Sequence, residues 1–266
     1  MVAPRFTTDQ LNAAKHFYQD EGFAIVDDVF CEQQIRSVRH VWGAILARRG
    51  TAKEHKFRSL LLPHTHYPAI LDFISDKSFL ESVRTFLGND IQLLQSQLMF
   101  GSPGNPGFTP HQDNFTNRVQ PADAAVAAWI AIEDVSPENG ALKVWRGSHQ
   151  RGLYKVRLDW RYLLKRSPDI VKSSLRAIWP RRFGVENDSG VMERYGSCIV
   201  TDTLEELILP VDSGSVVFLH GDLVHASLPN SSTNRCRYSL LTNFIRRGAK
   251  YRSGILTGRK PLDLPE

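Results

Sequence analysis

His111 and Asp113 stand two residues apart in the segment Phe-Thr-Pro-His-Gln-Asp-Asn-Phe that fills positions 108–115. A neutral imidazole and a carboxylate side by side supply two of the three donors of a facial metal triad. On an extended strand side chains alternate, so both would point the same way. A second histidine must then come from elsewhere. The best candidate is His225, in Leu223-Val224-His225-Ala226-Ser227, which follows a strand-and-turn pattern over 216–222 and precedes a basic, strand-like segment. Two histidines and one carboxylate with open coordination positions suit a non-haem Fe(II) that activates oxygen.

Such a centre needs an electron-rich co-substrate to reduce oxygen by two electrons. 2-Oxoglutarate chelates a metal through its 2-oxo acid and leaves a far carboxylate to be buried. Burying that group demands a partner of matched charge, and arginine meets it with a bidentate fork. Arg235 and Arg237 lie 10 and 12 residues past His225, on a strand predicted to end in Asn243-Phe244-Ile245. Alternation along that strand would turn both to one face. The other histidines read differently. His149 is expected to support a turn and His220 to sit in the core or behind the site. His64 and His66 are flanked by Pro63 and Pro68 with no carboxylate near.

The elements that must position these residues change in kind along the chain. Thr7 and Gln10 have capping-box spacing, followed by helical periodicity to Asp20 and a stop at Gly22. Phe23–Val26 reads as a short buried strand. Residues 31–48 read as a second helix, with Ile35, Val38, Trp42, Ile45 and Leu46 on one face. Lys53 to Tyr67 is expected to be irregular, and short helices are expected at 70–73 and 78–87. From there the pattern turns to β: 91–100, 124–132, 141–145, 199–201, 207–211, 216–220 and 238–245. Gly101 to Pro110 is a Pro/Gly-rich loop leading into His111. Residues 150–195 mix polar and aromatic side chains without period and are expected to form a lid or substrate-binding insertion. Helices followed by many short strands predict one domain, 1–266, mainly β with a helical N-terminal layer on a jelly-roll core.

The chain has 266 residues, 42% of them hydrophobic and 23% charged, enough apolar mass for a substantial core. The net charge of +5 comes without any run of five or six like charges. Arginines and lysines cluster loosely at 176–182 and 235–260, with no legible nucleic-acid motif. A basic pocket for an anionic small molecule fits better. Cys31, Cys198 and Cys236 are odd in number and lack a CxxC, so neither a disulfide framework nor a zinc ribbon is expected. The first residues lack an apolar signal region, and no 18-residue apolar run occurs. The expectation is a cytoplasmic monomer or homodimer with no nucleic-acid or membrane partner.

Several segments together resemble the phytanoyl-CoA dioxygenase family. They are Phe17-Tyr18 with Gly22-Phe23 and Ile25-Val26, His111-Gln112-Asp113, Trp129-Ile130-Ala131, and Glu138-Asn139-Gly140-Ala141-Leu142 with Gly147-Ser148-His149. His225-Ala226-Ser227 with Pro229-Asn230 completes the set. The resemblance spans nearly the whole chain and thins between about 150 and 195. It implies a double-stranded β-helix and an Fe(II)- and 2-oxoglutarate-dependent oxygenase, assayed with ascorbate as a stimulant. By the same likeness His111, Asp113 and His225 would hold iron. The family's Arg-x-Arg-x-Ser/Ala pattern favours Arg237 over Arg235 as the clamp on the far carboxylate. Ser227 would add a hydroxyl, and Gln95 an amide contact, with Gln97 its rival. Related halogenases carry a small residue where Asp113 stands, so a carboxylate here implies hydroxylation with release of succinate and CO2. Desaturation, epimerisation or ring closure could start from the same hydrogen abstraction. Two other classes compete: a Zn- or Mn-dependent cupin-like enzyme, and a jelly-roll binding protein without turnover.

Overall fold

The structure is a computed structural model and describes residues 3–49, 59–158, 196–198, 200, 203–254 and 258–265. β1 (Arg5–Phe6), α1 (Leu11–Glu21), β2 (Phe23–Val26) and α2 (Glu32–Arg49) open the chain. Then come β3 (Ser59–Leu61), α3 (Pro68–Ile74), α4 (Lys77–Leu87), β4 (Ile91–Gly101), β5 (Phe108–His111) and α5 (Asp113–Asn117). The rest is β6 (Ala125–Ala131), β7 (Leu142–Trp145), β8 (Val156–Leu158), β9 (Gly196–Cys198), β10 (Glu206–Leu209), β11 (Val216–His220), β12 (His225–Ser227), β13 (Arg237–Arg246) and β14 (Leu262–Asp263).

Two sheets face each other. The larger is ordered β1-β2-β11-β6-β13-β4-β14 with β3 also on β4, and the smaller is β10-β7-β12-β5. Pairing is antiparallel throughout both, except for β1 with β2. This is the mainly β jelly roll with a helical N-terminal layer that the sequence predicts.

The larger sheet is buried on both faces, which is why its central strands read as continuous apolar runs. Alternation divides each strand between two cores. Val126, Ala128 and Ile130 of β6 and Val216 and Phe218 of β11 face the helices, packing with Trp42, Phe79 and Val83. Ala127, Trp129, Val217 and Leu219 face inward and meet Leu142, Val144, Leu207 and Leu209 of the smaller sheet. On β4 and β13 the inward set by the same alternation is Gln95, Gln97 and Met99 opposite Asn243, Leu241 and Ser239, with Gly101 opposite Arg237. The inner face therefore carries the polar residues.

The helices end where their caps require. Thr7 and Gln10 form the expected reciprocal cap, and Gly22 closes α1 in a left-handed turn, its N–H donating to the Tyr18 carbonyl at 2.8 Å. Asp76 caps α4 by accepting from the Phe79 N–H at 3.0 Å.

Three expectations need correction. Ser59–Leu61, expected to be irregular, pairs with β4; three residues carry too little pattern to announce a strand. The strand over the metal segment stops at His111, and Asp113 starts α5. Arg235 lies before β13 rather than on it. The expected strand at 199–201 and most of the expected insertion at 150–195 fall outside the described residues. No helix among the described residues is long and apolar enough to cross a membrane.

Candidate metal centre

β5 and β12 run antiparallel with His111 directly opposite His225. Their rings lie 4.2 Å apart, centre to centre. Asp113 reaches the same point by another route. Gln112 is extended (φ −125°, ψ 127°) and caps α5, so the chain turns after His111 and presents the Asp113 carboxylate from the first helical turn. Asp113 Oδ1 is 3.9 Å from His111 Nε2 and 3.9 Å from His225 Nε2. One potential ligand atom from each residue lies within 4.8 Å of the others.

Both imidazoles are pre-set for metal. His111 Nδ1 lies 2.7 Å from the Thr109 carbonyl and His225 Nδ1 3.1 Å from the Leu223 carbonyl. Carbonyls only accept, so each Nδ1 carries the proton and each Nε2 keeps its lone pair toward Asp113. Burial first, and then the neighbouring His225, push the His111 pKa down, with Asp113 opposing. His111 therefore stays neutral, as a ligand must. Asp113 Oδ2 is buried with no hydrogen-bond donor. A buried carboxylate oxygen in that state is costly unless a cation faces it. The donor set and this orphaned oxygen fit a divalent metal with open positions.

A small cavity adjoins the triad, walled by His111, His225, Ser227 and Arg237 with Met99, Phe108, Trp129, Leu142, Leu219, Ala226 and Leu241. Arg237 is buried, its guanidinium 5.7 Å from the centre of the Trp129 ring. Gly101 makes room for it, since a Cβ there would lie 2.9 Å from the Arg237 carbonyl oxygen and 3.0 Å from its Nε. Arg235 is exposed and donates outward, to the Asp134 carbonyl at 3.3 Å and toward Ser136 Oγ at 3.5 Å. Ser227 Oγ accepts from the Phe108 N–H at 3.0 Å and keeps its own hydroxyl proton for another acceptor. Gln95 and Gln97 are both buried on the inner face. Gln95 is engaged, its Oε1 accepting from Arg259 Nε at 2.5 Å.

The remaining histidines lie elsewhere. His149 Nε2 is 3.0 Å from the Gln19 carbonyl, and its ring packs 5.0 Å from that of His220. His64 bonds Ser96 Oγ at 2.6 Å on the helix-facing side.

Three residues that sequence reasoning passed over fasten the two halves of the centre. Gln112 Nε2 donates to the Asp222 carbonyl at 2.6 Å and to the Gly152 carbonyl at 2.8 Å, and its Oε1 accepts from the Tyr154 N–H at 2.8 Å. Asn114 Nδ2 donates to Asp222 Oδ1 at 2.8 Å, and the Asn114 N–H to the Gly221 carbonyl at 2.9 Å. A glutamine between two ligands must point away from the metal, which is the one signal the sequence offered.

The phytanoyl-CoA dioxygenase (PhyH) family pattern matches residues 18–237. A phytanoyl-CoA dioxygenase from Arabidopsis thaliana is 30% identical over 180 residues, 66% of this chain and 53% of that protein. A phytanoyl-CoA dioxygenase domain-containing protein 1 from Danio rerio is 27% identical over 179 residues, 67% of this chain and 50% of that protein. The chain thus spans about half the length of these curated relatives. Among solved structures, the alpha ketoglutarate dependent carbocyclase SnoK from nogalamycin biosynthesis superposes with TM-score 0.69 at 20% identity, over 99% of this chain and 97% of that one. The epimerase SnoN, solved with Fe3+, alpha ketoglutarate and nogalamycin RO, gives 0.66 at 17%, over 92% and 86%. These likenesses concern the fold. The match over 18–237 takes in all three members of the His111–Asp113–His225 cluster and ends on Arg237, and on it the chain belongs to the phytanoyl-CoA dioxygenase family.

Proposed function

We propose that this oxygenase holds Fe(II) through His111, Asp113 and His225 and clamps the far carboxylate of 2-oxoglutarate with Arg237. Its reaction is hydroxylation of an unactivated C–H in a small metabolite or natural product, with release of succinate and CO2. The observation that carries this reading is one cavity lined by both histidines and the buried Arg237, with the Asp113 carboxylate 3.9 Å from each histidine Nε2 and its Oδ2 buried without a donor. Iron with 2-oxoglutarate supplies the two-electron reduction of oxygen that such a hydrogen abstraction requires.

The chain's own residues bind, orient and exclude water. Arg237 offers a planar fork at the cavity wall, and Ser227 a hydroxyl beside it. Met99, Phe108, Leu142, Leu219 and Leu241 make the rest of that wall apolar, which strengthens each charge contact inside it. Gln97, which lies closer than Gln95 to Gly101 along β4, is the glutamine for an amide contact, because Gln95 is held by Arg259. Gly152 and Tyr154, at the start of the segment expected to contact substrate, are tied to the centre through Gln112. Three free cysteines fit a reducing, cytoplasmic setting.

The test is succinate formation from 2-oxoglutarate by purified protein with Fe(II), ascorbate and oxygen, followed by a metabolite screen for stimulated turnover. Succinate without added substrate, stimulated by a subset of metabolites, supports the reading. No succinate under any condition favours a binding protein that has lost turnover. Product mass then separates hydroxylation, a gain of one oxygen, from desaturation, epimerisation or ring closure.

A further inference from the structure

Arg259 is buried at 7% exposure, although it stands in the C-terminal segment far from the metal motifs. That segment is strapped onto the rest of the fold on both sides of it. The Arg252 N–H donates to the Asn117 carbonyl at 2.7 Å, at the end of the helix that presents Asp113, and β14 pairs with β4. The strap carries Arg259 to the inner face of the larger sheet, where its Nε donates to Gln95 Oε1 and its Nη1 to the Arg252 carbonyl at 3.2 Å. Among the described residues, two of the five guanidinium N–H donors are so used. Among the described residues no carboxylate lies within ion-pair distance of Arg259. Burial first pushes its pKa down, while Asp113 raises it and Arg252 lowers it.

Charge counting then isolates this residue. An iron dication, the Asp113 carboxylate, the two carboxylates of 2-oxoglutarate and the Arg237 cation sum to zero, and the other buried carboxylate near them, Asp222, is bonded by Asn114 rather than by Arg259. Arg259 is left over as a buried cation beside a neutral centre, and a buried charge without a counter-charge is costly. Nor does the co-substrate's own clamp overlap it. Arg237 pairs with Gly101 whereas Arg259 holds Gln95, six residues back along β4, or about 20 Å of strand. The triad's residues border both sides: His111 and His225 share the cavity with Arg237, while the strap that carries Arg259 is bonded to Asn117, at the far end of the five-residue helix that Asp113 starts.

We infer that Arg259, held by Gln95, is the anchor for an oxyanion of the organic substrate, a carboxylate or phosphate ester, on the side of the iron away from Arg237. This rests on the iron and 2-oxoglutarate reading above. It gives the buried strap a purpose, namely presenting one fixed fork to the substrate while the metal addresses a C–H a few bonds away. It also makes Gln95 a positioning residue rather than a co-substrate contact.

The experiment uses the full chain loaded with Mn(II), whose paramagnetism broadens the proton signals of molecules held near it. Wild-type protein is first titrated with 2-oxoglutarate. With that saturating, acetate, benzoate and phenyl phosphate are added, with acetamide and benzamide as uncharged counterparts. At least one anion is expected to be broadened saturably, and its amide counterpart at least fivefold less. Arg259→Gln is expected to weaken the anion effect at least fivefold and leave the amide unchanged, while Arg259→Lys, which keeps charge without the fork, recovers part of it. Melting curves of both variants check that each is folded. If benzoate or phosphate ester gives the response but acetate does not, the anchor serves a larger ring-bearing substrate, and either anion supports the inference. Equal anion broadening in wild type and Arg259→Gln overturns it. So does equal loss for anion and amide, which would make Arg259 a brace for Gln95 only. Loss of 2-oxoglutarate instead of the probe anions would assign Arg259 to the co-substrate, and no broadening of any anion in wild type also overturns the inference. Failure of the first titration, with 2-oxoglutarate unbroadened by Mn(II)-loaded wild type, sinks the parent reading as well.

Discussion

The Gln112 side chain donates to the Asp222 carbonyl at 2.6 Å, so the residue between two candidate ligands is fastened to the turn that presents the third. The same amide group holds Gly152, and its oxygen holds Tyr154. His225 lies more than a hundred residues from His111 and Asp113, and this one side chain ties the two segments together. Gln112→Ala should therefore weaken metal binding by about 10–100-fold, the usual scale for residues that orient ligands. Competitive titration with Fe(II) or Ni(II) reads the effect. An unchanged affinity would mean that the strand pairing of His111 with His225 fixes the site unaided.

The two arginines separate cleanly. Arg237→Gln leaves a desolvated carboxylate without its fork and should raise the 2-oxoglutarate KM at least about tenfold, since truncating one partner of a buried charge pair costs roughly 2–5 kcal/mol. Arg235→Gln, which changes an exposed side chain bonded to the Asp134 carbonyl, should leave that KM within about twofold. Initial-rate measurements on both variants check this, and a reversed ranking would move the clamp to Arg235.

Gly101→Ala probes the same clamp from the opposite strand. The added methyl would meet the Arg237 main chain and guanidinium at about van der Waals overlap, 2.9 and 3.0 Å. The main chain cannot swing away as a side-chain tip can, so the 2-oxoglutarate KM should rise several-fold with little change in metal affinity. An unchanged KM would show that Arg237 has slack in its seat.

Acid should loosen the fold through its buried histidines. Burial first, then His149, push His220 down to about 4 against the raising influence of Asp222 and Asp123. An unfolded histidine titrates near 6.5, so between the two values the unfolded chain binds the extra proton. The stability His220 contributes is full above about pH 6.5 and falls as pH drops toward 4. Burial likewise pushes His64 down to about 4. Denaturant melts should lose on the order of 1–2 kcal/mol between pH 6.5 and 5 from His220. His220→Asn should flatten that slope, and an equal slope in the variant would assign it to other groups.

The sequence announced the centre more fully than its surroundings, for physical reasons. His111, Asp113 and His225 are legible because the chemistry of a metal site restricts residue type, and the continuous apolar runs at 126–130 and 216–219 are legible because the sheet meets a core on each face. The geometry between His111 and Asp113 was not. Two-residue spacing suggested a strand, whereas the Gln112 cap turns the chain into a helix and reaches a similar convergence by a different path. Arg235 and Arg237 alternate in sequence, but only where a strand exists do they share a face, and β13 begins at Arg237. Arg259 left no local signal at all. Its burial depends on the pairing of β14 with β4 and on the Asn117–Arg252 bond, contacts that join positions more than a hundred residues apart.

The most direct test of the iron assignment is Asp113→Ala, assayed in chloride-free buffer for bound Fe(II) and for succinate formed from 2-oxoglutarate. Removing the one anionic donor, whose Oδ2 is otherwise unpartnered, should abolish succinate formation and weaken iron binding together. Undiminished succinate formation by the variant would contradict the account, because the carboxylate could then not be a ligand of the reacting metal.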